Sequence, residues 1–417
     1  MASKHTRRIC AAILRDWEES TTFIDKLIDR HCTKAGLDPR DRAFVQNITL
    51  GIVRNLTLLG DWIDMLRKGK IGNEEQRLLE LGLYQVLLMR VPDHAAVNET
   101  VQLARPRARA MINAVLRRAI REREQLLALA ETLPPAQRYS IPEHIYKRWE
   151  EQFGTTQSEE IAATAATPAP LTIRSNPLRG GLNKQDLEQS QAQPVNDHAG
   201  FYLVETLPLD ALASGRCYAQ DPSTAVAPGL LDPQPGERIL DACAAPGGKS
   251  AILATAMNNT GEIIAIDIAG PRSERLLENM QRLAAINVRV EEMDLLGSGE
   301  IPEDFRESFD RILIDVPCSN TGVFRRRVDA RWRLMPGFET QMAELQSRLV
   351  HAVVPLLKPG GKLVYSTCSI EPEENSITIS SILQEVPRLR KIEETSLMPS
   401  PTHDGAYAAL LESVAEG

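Results

Sequence analysis

The chain has 417 residues, 43% of them hydrophobic and 25% charged, with a net charge of −8 at pH 7. That length implies roughly two to three domains, and no apolar run reaches the ~18 to 20 residues of a membrane span, so a membrane partner is not expected. Six cysteines without a C-x-x-C pair exclude an obvious disulfide framework or zinc site and fit thiols in a reducing, cytoplasmic setting without metal.

The amino terminus (MASKHTRRICAAILRDWEES) has basic residues but no continuous apolar region or small-residue cleavage site, so a first helix is expected. Residues 1–134 read as all helix. Apolar residues recur at helical spacing: Ile9, Ile13, Leu14; Phe23, Leu27, Ile28; Phe44, Ile48, Ile52, Leu56. Glycines and prolines fall between the segments, which predicts about six or seven helices packed as a bundle. Residues 105–121 carry six arginines, Arg117 and Arg118 among them, and no acid. Such a run is either a solvated helix face or a nucleic-acid contact.

Three prolines in LPPAQRYSIPEHI (133–145) mark a boundary. Residues 135–216 form a small α+β segment: two helices over 142–166, then strand-like LTIRSNP and FYLVE around a helical stretch. Residues 217–417 alternate regularly. RILDA, GEIIAID, VRVEEMD, DRILIDV and KLVYST read as strands between helices, the pattern of a parallel, doubly wound α/β sheet.

The first of these strands runs into CAAPGGK (243–249). A P-loop needs glycine where Cys243 stands, and the dinucleotide pattern is absent. What remains is a small-sided turn, Cys243, Ala244, Ala245, Pro246, Gly247, Gly248 and Lys249, at a helix amino end, where backbone N–H groups approach a ligand. The second strand ends in Asp267, placed to accept from ribose hydroxyls. The third ends in Asp294, able to accept from a base amine. A loop without a pyrophosphate signature plus two such acids suits a nucleoside cofactor without phosphates, and S-adenosylmethionine is the candidate. Each aspartate alone could equally be a helix cap or turn residue.

The fourth strand ends in DVPCSNTG (315–322) and the fifth in Cys368, so Asp315, Cys318 and Cys368 are expected at one sheet edge. A cysteine alone there reads as a small core hydrophobe. Two thiols and a carboxylate together suit methylation of pyrimidine carbon 5, which is not nucleophilic until a thiolate adds to carbon 6. A carboxyl group at the ring edge would stabilise the developing charge. The residues themselves do not rank the two thiols.

PCSNTG, STCSIEPEEN and CAAPGGK resemble the motifs of RNA cytosine carbon-5 methyltransferases of the NSUN/Sun superfamily. AVNETVQLAR (96–105) and INAVLRR (112–118) resemble the NusB-like domain fused to the catalytic domain in its RsmB (Sun/Fmu) family, and YSIPEHIYKRWEEQFG, QDPSTA and DGAYAALL also match. The resemblance implies a NusB-like helical RNA-binding domain (1–134), an α+β subdomain (135–216) and a Rossmann-like class I methyltransferase domain (217–417). It implies S-adenosylmethionine held by residues 243–249, Asp267, Asp294 and Asp315, and 5-methylcytosine formation in 16S rRNA. Cys368 matches the nucleophile, Cys318 the cysteine assisting product release, and Asp315 the acid beside methionine moiety and base. Where relatives often carry a second acid after Asp267, Ala269 stands here.

RRRVDARWR (325–333) follows the PCSNTG loop directly, so Arg325, Arg326, Arg327 and Arg331 are expected to meet RNA phosphates, with Trp332 stacking on a base or packing. A monomer is expected. Two rivals stand beside this reading: a tRNA cytosine methyltransferase of the same superfamily, and an inactive RNA-binding assembly factor. The NusB-like domain opposes the first, and two retained thiols oppose the second.

Overall fold

The computed structural model describes residues 4–89, 91–297, 299 and 301–414. The chain folds as two compact units, Met1–Pro168 with Phe324–Arg333, and Ala169–Val323 with Leu334–Gly417.

In the first unit, eight α-helices precede residue 131 among the described residues: Lys4–Glu18, Ile24–Lys34, Pro39–Arg54, Leu56–Leu66, Asn73–Leu83, Asp93–Leu103, Pro106–Arg121 and Arg123–Ala130. The apolar spacing predicts fewer because Asn55 and Glu122 each break a helix without glycine or proline to mark it. Asp38 caps the third helix by accepting from the Asp41 N–H at 2.8 Å. The apolar stripes converge on Ile13, Ile48, Ile52, Trp62, Leu79, Ile112 and Leu116, all without solvent exposure. A last helix, Glu143–Ala166, breaks at Gly154 (φ 76°), giving the two expected segments.

The arginine run departs from its expected role. Arg331 is fully buried in the first unit. It donates to the backbone oxygens of Ala165 (2.9 Å), Phe324 (3.1 Å) and Ser140 (3.3 Å), and lies over the Phe324 ring. Asp329 accepts from the Ile24 N–H (2.8 Å) and from Trp17 Nε1 (3.3 Å). Trp332 Nε1 donates to Val53 O (2.9 Å), and Arg333 to Thr22 O (2.8 Å). Arg325 is 3% exposed and Arg331 not at all, so neither guanidinium is open to an RNA phosphate, and Trp332 packs. The rigid fork of the Arg331 guanidinium is met by carbonyl groups, so no carboxylate is needed. Burial first, and Arg54 second, lower its pKa to about 9. Arg326 and Arg327 stay exposed, Arg327 pairing with Asp25 at 2.8 Å. Arg117 is exposed, whereas Arg118 is tied to Glu122 and Leu66 O, both at 2.8 Å.

The second unit opens with a small antiparallel sheet of β1 (Thr172–Ser175), β2 (Gln193–Pro194), β3 (Phe201–Leu203) and β4 (Cys217–Ala219), in the order β2-β3-β1-β4. The main sheet has seven strands: β5 (Arg238–Ala242), β6 (Glu262–Asp267), β7 (Val288–Glu292), β8 (Phe309–Asp315), β9 (Leu357–Thr367), β10 (Leu389–Leu397) and β11 (Ala406–Ser413). Their order is β10-β11-β9-β8-β5-β6-β7. β5 to β9 run parallel, and β11 lies antiparallel between β9 and β10. This is a Rossmann-like sheet, doubly wound as the alternation predicts. Ile239, Leu240, Ile263, Ile264, Ile312, Leu313, Leu363 and Val364 are fully buried from successive positions, because helices cover both faces. The tail after Ile392 supplies most of β10 and all of β11.

Candidate active site

From β5 the chain goes to β6 and β7 on one side, then returns to β8 on the other. The crevice at the carboxyl ends of the strands at such a reversal is where open α/β sheets bind ligands. The loops leaving β5, β8 and β9 carry Cys243–Lys249, Asp315–Gly322 and Cys368 to this edge. Asp267 ends β6, and Asp294 lies two residues beyond β7.

The β5 loop is built for close backbone approach. Cys243 adopts φ 61° and Gly247 φ 99°. A β-carbon on Gly247 would come within 2.6 Å of Met280 Cε, and one on Gly248 within 2.8 Å of Gln220 Nε2. Asp267 anchors the loop: its Oδ2 accepts from the Ala245 N–H at 2.9 Å and its Oδ1 from the Ile268 N–H at 3.0 Å. Asp294 is exposed and turns its own loop by accepting from the Leu296 N–H at 3.0 Å. Beneath the loop, Asp241 is fully buried. Its Oδ2 accepts from Ser250 Oγ at 2.5 Å, and its Oδ1 has no partner. Burial pushes this carboxyl up to about 7; Ser250 opposes the rise and nearby Asp315 adds to it. A buried acceptor without a donor is costly. The small-sided loop and this orphaned oxygen fit a ligand carrying an amine and a ribose.

Lys249 does not face the loop it belongs to. Its Nζ donates to Asp315 Oδ2 at 2.6 Å. Burial works against the charge on Lys249, but Asp315, with Cys368 and Asp241, outweighs it and the pKa rises. Asp315 Oδ1 keeps no partner among the described residues.

Asp315 is followed by the loop that holds Cys318, and β9 by Cys368. The two sulfurs stand 2.9 Å apart, both cysteines half-buried and free. The loops are stitched together by the Gly322 N–H donating to Cys368 O (3.0 Å) and the Gly405 N–H donating to Gly322 O (2.8 Å). Asn320, at φ 65°, donates to Cys318 O at 2.8 Å. The hydrogen bond to Cys368 first, then burial, then the charges of Cys368 and Glu374, hold the Cys318 pKa well above the ordinary thiol range. So Cys318 is held in its protonated form, and either sulfur can be the donor in the contact. Cys243, pushed up to about 12 mainly by burial, is inert.

Sequence reasoning missed the buried groups under the thiols, Glu374, Gln346, Ser319 and Ser369. The PEE run within EPEEN was the available signal, since a carboxylate so close behind a buried strand end must find donors. Lys249 was assigned to the loop, and its pairing across to β8 was not foreseen.

Residues 228–408 match the family model of the 16S rRNA methyltransferase RsmB/F, and residues 4–121 that of the NusB family. The probable ribosomal RNA small subunit methyltransferase B of Synechocystis is 34% identical over 91% of this chain and 89% of its own. Ribosomal RNA small subunit methyltransferase B of Vibrio cholerae is 36% identical over 89% of this chain and 90% of its own. A methyltransferase homolog protein from Pyrococcus horikoshii superposes with a TM-score of 0.57, at 27% identity, over 67% of this chain and 98% of its own.

Proposed function

The chain belongs to the RsmB/F family of 16S rRNA methyltransferases, and from that footing we propose that it makes 5-methylcytosine at one cytosine of 16S rRNA through a covalent bond from Cys368 to carbon 6 of the base. The observation that carries this reading is the thiol pair, Cys318 and Cys368 with their sulfurs 2.9 Å apart and the Cys318 pKa raised, beside the unpaired oxygen of Asp315.

The Cys318 S–H supports negative charge on Cys368, the attacking sulfur. Addition to carbon 6 turns carbon 5 into an enamine-like nucleophile. Asp315 Oδ1 is available to the exocyclic amine of the ring, while Lys249 holds Oδ2 and fixes the carboxylate. Residues 243–248 with Asp267 and Asp294 would hold S-adenosylmethionine, Asp241 could accept from its amine, and the cofactor would supply an electrophilic methyl group to carbon 5. The carbon-5 proton then passes to Cys318 as its thiolate, its own proton having gone to solvent, and the electron pair left behind re-forms the ring double bond as the bond from carbon 6 to Cys368 breaks and Cys368 leaves as the thiolate. With the Cys368 sulfur bound to carbon, the contact that most raised the Cys318 pKa is gone, which frees Cys318 to assist that elimination. Exposed Arg117, Arg326 and Arg327 remain candidates for phosphate contact. The target base must be turned out of its stack to reach a thiol.

Bisulfite sequencing of RNA from a deletion strain tests this. The expected result is loss of one 16S mark, restored by the wild-type gene. Loss of a tRNA mark, or no loss, would overturn the proposal.

A further inference from the structure

Glu374 is fully buried in the short turn Pro372–Glu374, six residues after Cys368. Every contact made by its carboxylate comes from a donor. These are the Ser319 N–H at 3.0 Å, the Ser319 hydroxyl, the Ser369 hydroxyl at 2.7 Å, and Gln346 Nε2 at 2.9 Å. Ser319 directly follows Cys318, and Ser369 directly follows Cys368. One carboxylate therefore grips the neighbour of each thiol.

The grip is itself fixed. Gln346 comes from the helix Phe338–Val353 and also donates to Pro317 O at 3.0 Å, the residue before Cys318. The Tyr365 hydroxyl, on β9, lies 2.5 Å from the backbone oxygen of Glu374 and 2.9 Å from Gln346 Oε1, with one proton to donate between them. A buried carboxylate without a cation is costly unless donors surround it, and here four do. Packing alone would not require a charge at this place. The titratable groups sharing the region are Cys318, Cys368, Tyr365, Asp315 and Lys249. Among them, Cys318 is the thiol whose pKa Glu374 helps raise.

We infer that Glu374 is a positioning residue that holds the two thiols at hydrogen-bonding distance, through the residue that follows each, and favours the protonated form of Cys318. The role assumes the covalent reaction proposed above, but the geometry it rests on does not.

Iodoacetamide alkylation of the full-length protein, followed peptide by peptide by mass spectrometry, reads Cys318 and Cys368 separately. In Glu374→Gln the pH of half-reaction at Cys318 should fall by roughly half a pH unit or more, as expected when a nearby charge is removed from a half-buried thiol. In the same variant kcat should fall about tenfold or more with KM for RNA little changed, the pattern of lost organisation at the reacting groups. An unchanged Cys318 midpoint overturns the inference, even with a lowered Tm, because a merely structural role would move stability alone. Should Glu374→Gln not fold, Ser369→Ala keeps the carboxylate and removes one tether. It should leave the Cys318 midpoint in place and reduce kcat several-fold; wild-type kcat in both Ser369→Ala and Ser319→Ala would overturn the idea. If the wild-type protein transfers no methyl group to cytosine, the proposed function fails, while the alkylation arm still reads Glu374.

Discussion

The sulfurs of Cys318 and Cys368 stand 2.9 Å apart, at the ends of neighbouring parallel strands, and only one of them can hold the proton between them. The contact with Cys368 and burial both raise the Cys318 pKa, which favours the proton on Cys318. The proposed roles of the two residues can be told apart by mutation. Cys318→Ala should leave carbon-6 addition possible but hinder release. A covalent enzyme–RNA adduct should accumulate and survive a denaturing gel. Loss of the S–H donor should also slow addition by roughly fivefold, the cost of about 1 kcal/mol for one hydrogen bond.

Cys368→Ala should abolish methyl transfer, by about a thousandfold or more if the residue is the nucleophile. The loop from Cys243 to Lys249 does not depend on the Cys368 side chain, so cofactor affinity measured by calorimetry should stay close to wild type. Retained activity in this variant would remove the covalent mechanism.

Gly322→Ala should damage the site without touching its chemistry. A β-carbon there would lie 2.6 Å from Cys368 O and 2.9 Å from Gly405 Cα, both backbone atoms with little room to move. We expect a fall in Tm and a kcat loss of about tenfold or more, because misplacing a nucleophile by a fraction of an ångström is costly. A variant with wild-type kcat would show that the stitch between the two loops is dispensable.

Asp241 gives a pH dependence with a definite sign. Its folded pKa is about 7, raised chiefly by burial, against roughly 3.9 in an unfolded chain. Between those values the folded protein binds a proton that the unfolded chain does not, so this contribution is full below about pH 4 and is lost as pH rises through 7. Asp241→Asn cannot titrate. Urea denaturation of the ligand-free protein at pH 5 and pH 8 should show wild type losing on the order of 3 kcal/mol more than the variant across that interval. Glu80, also raised to about 7, is common to both proteins and cancels. Parallel curves would refute the assignment.

Arg331 and its exposed neighbours should part company under mutation. Arg331→Ala strips buried carbonyls of their donors and leaves a cavity, so unfolding should be easier by about 3 kcal/mol or more. Arg326→Ala and Arg327→Ala should leave Tm nearly unchanged. Each that meets a phosphate should weaken RNA binding and lower the slope of log affinity against log salt by roughly one. The reverse pattern would restore the buried residue as an RNA contact.

Much of the catalytic fold is legible because parallel strands buried on both faces write themselves as apolar runs, as in RILDA, EIIAI and RILID. The edge is less legible. β10 carries two basic and two acidic residues and is largely exposed, and β11 is rich in alanine, a weak strand former. The thiols and Asp315 could be placed together because each ends a strand, and strand ends share an edge. Glu374 is harder to place, since only Ser369 is near it in sequence, while Ser319 and Gln346 lie 55 and 28 positions away. RRRVDARWR misled for the opposite reason. Its composition is that of a solvated basic loop, but the carbonyl groups of Ala165 and Ser140 that receive Arg331 lie 166 and 191 positions away in sequence.

The ten residues Phe324–Arg333 also bear on how such a chain can be divided. They follow the catalytic loop in sequence yet belong to the helical unit, where Phe324 and Val328 lie in its interior and Trp332 is hydrogen-bonded. A cut near residue 168 would not release two self-sufficient pieces. One fragment would lose a plug from its core, and the other would carry an apolar, arginine-bearing strip with nothing to receive it. The two units are therefore interleaved rather than strung in series, and a gene fragment encoding the carboxyl-terminal unit alone inherits an aggregation-prone scar unless that strip is excised or redesigned.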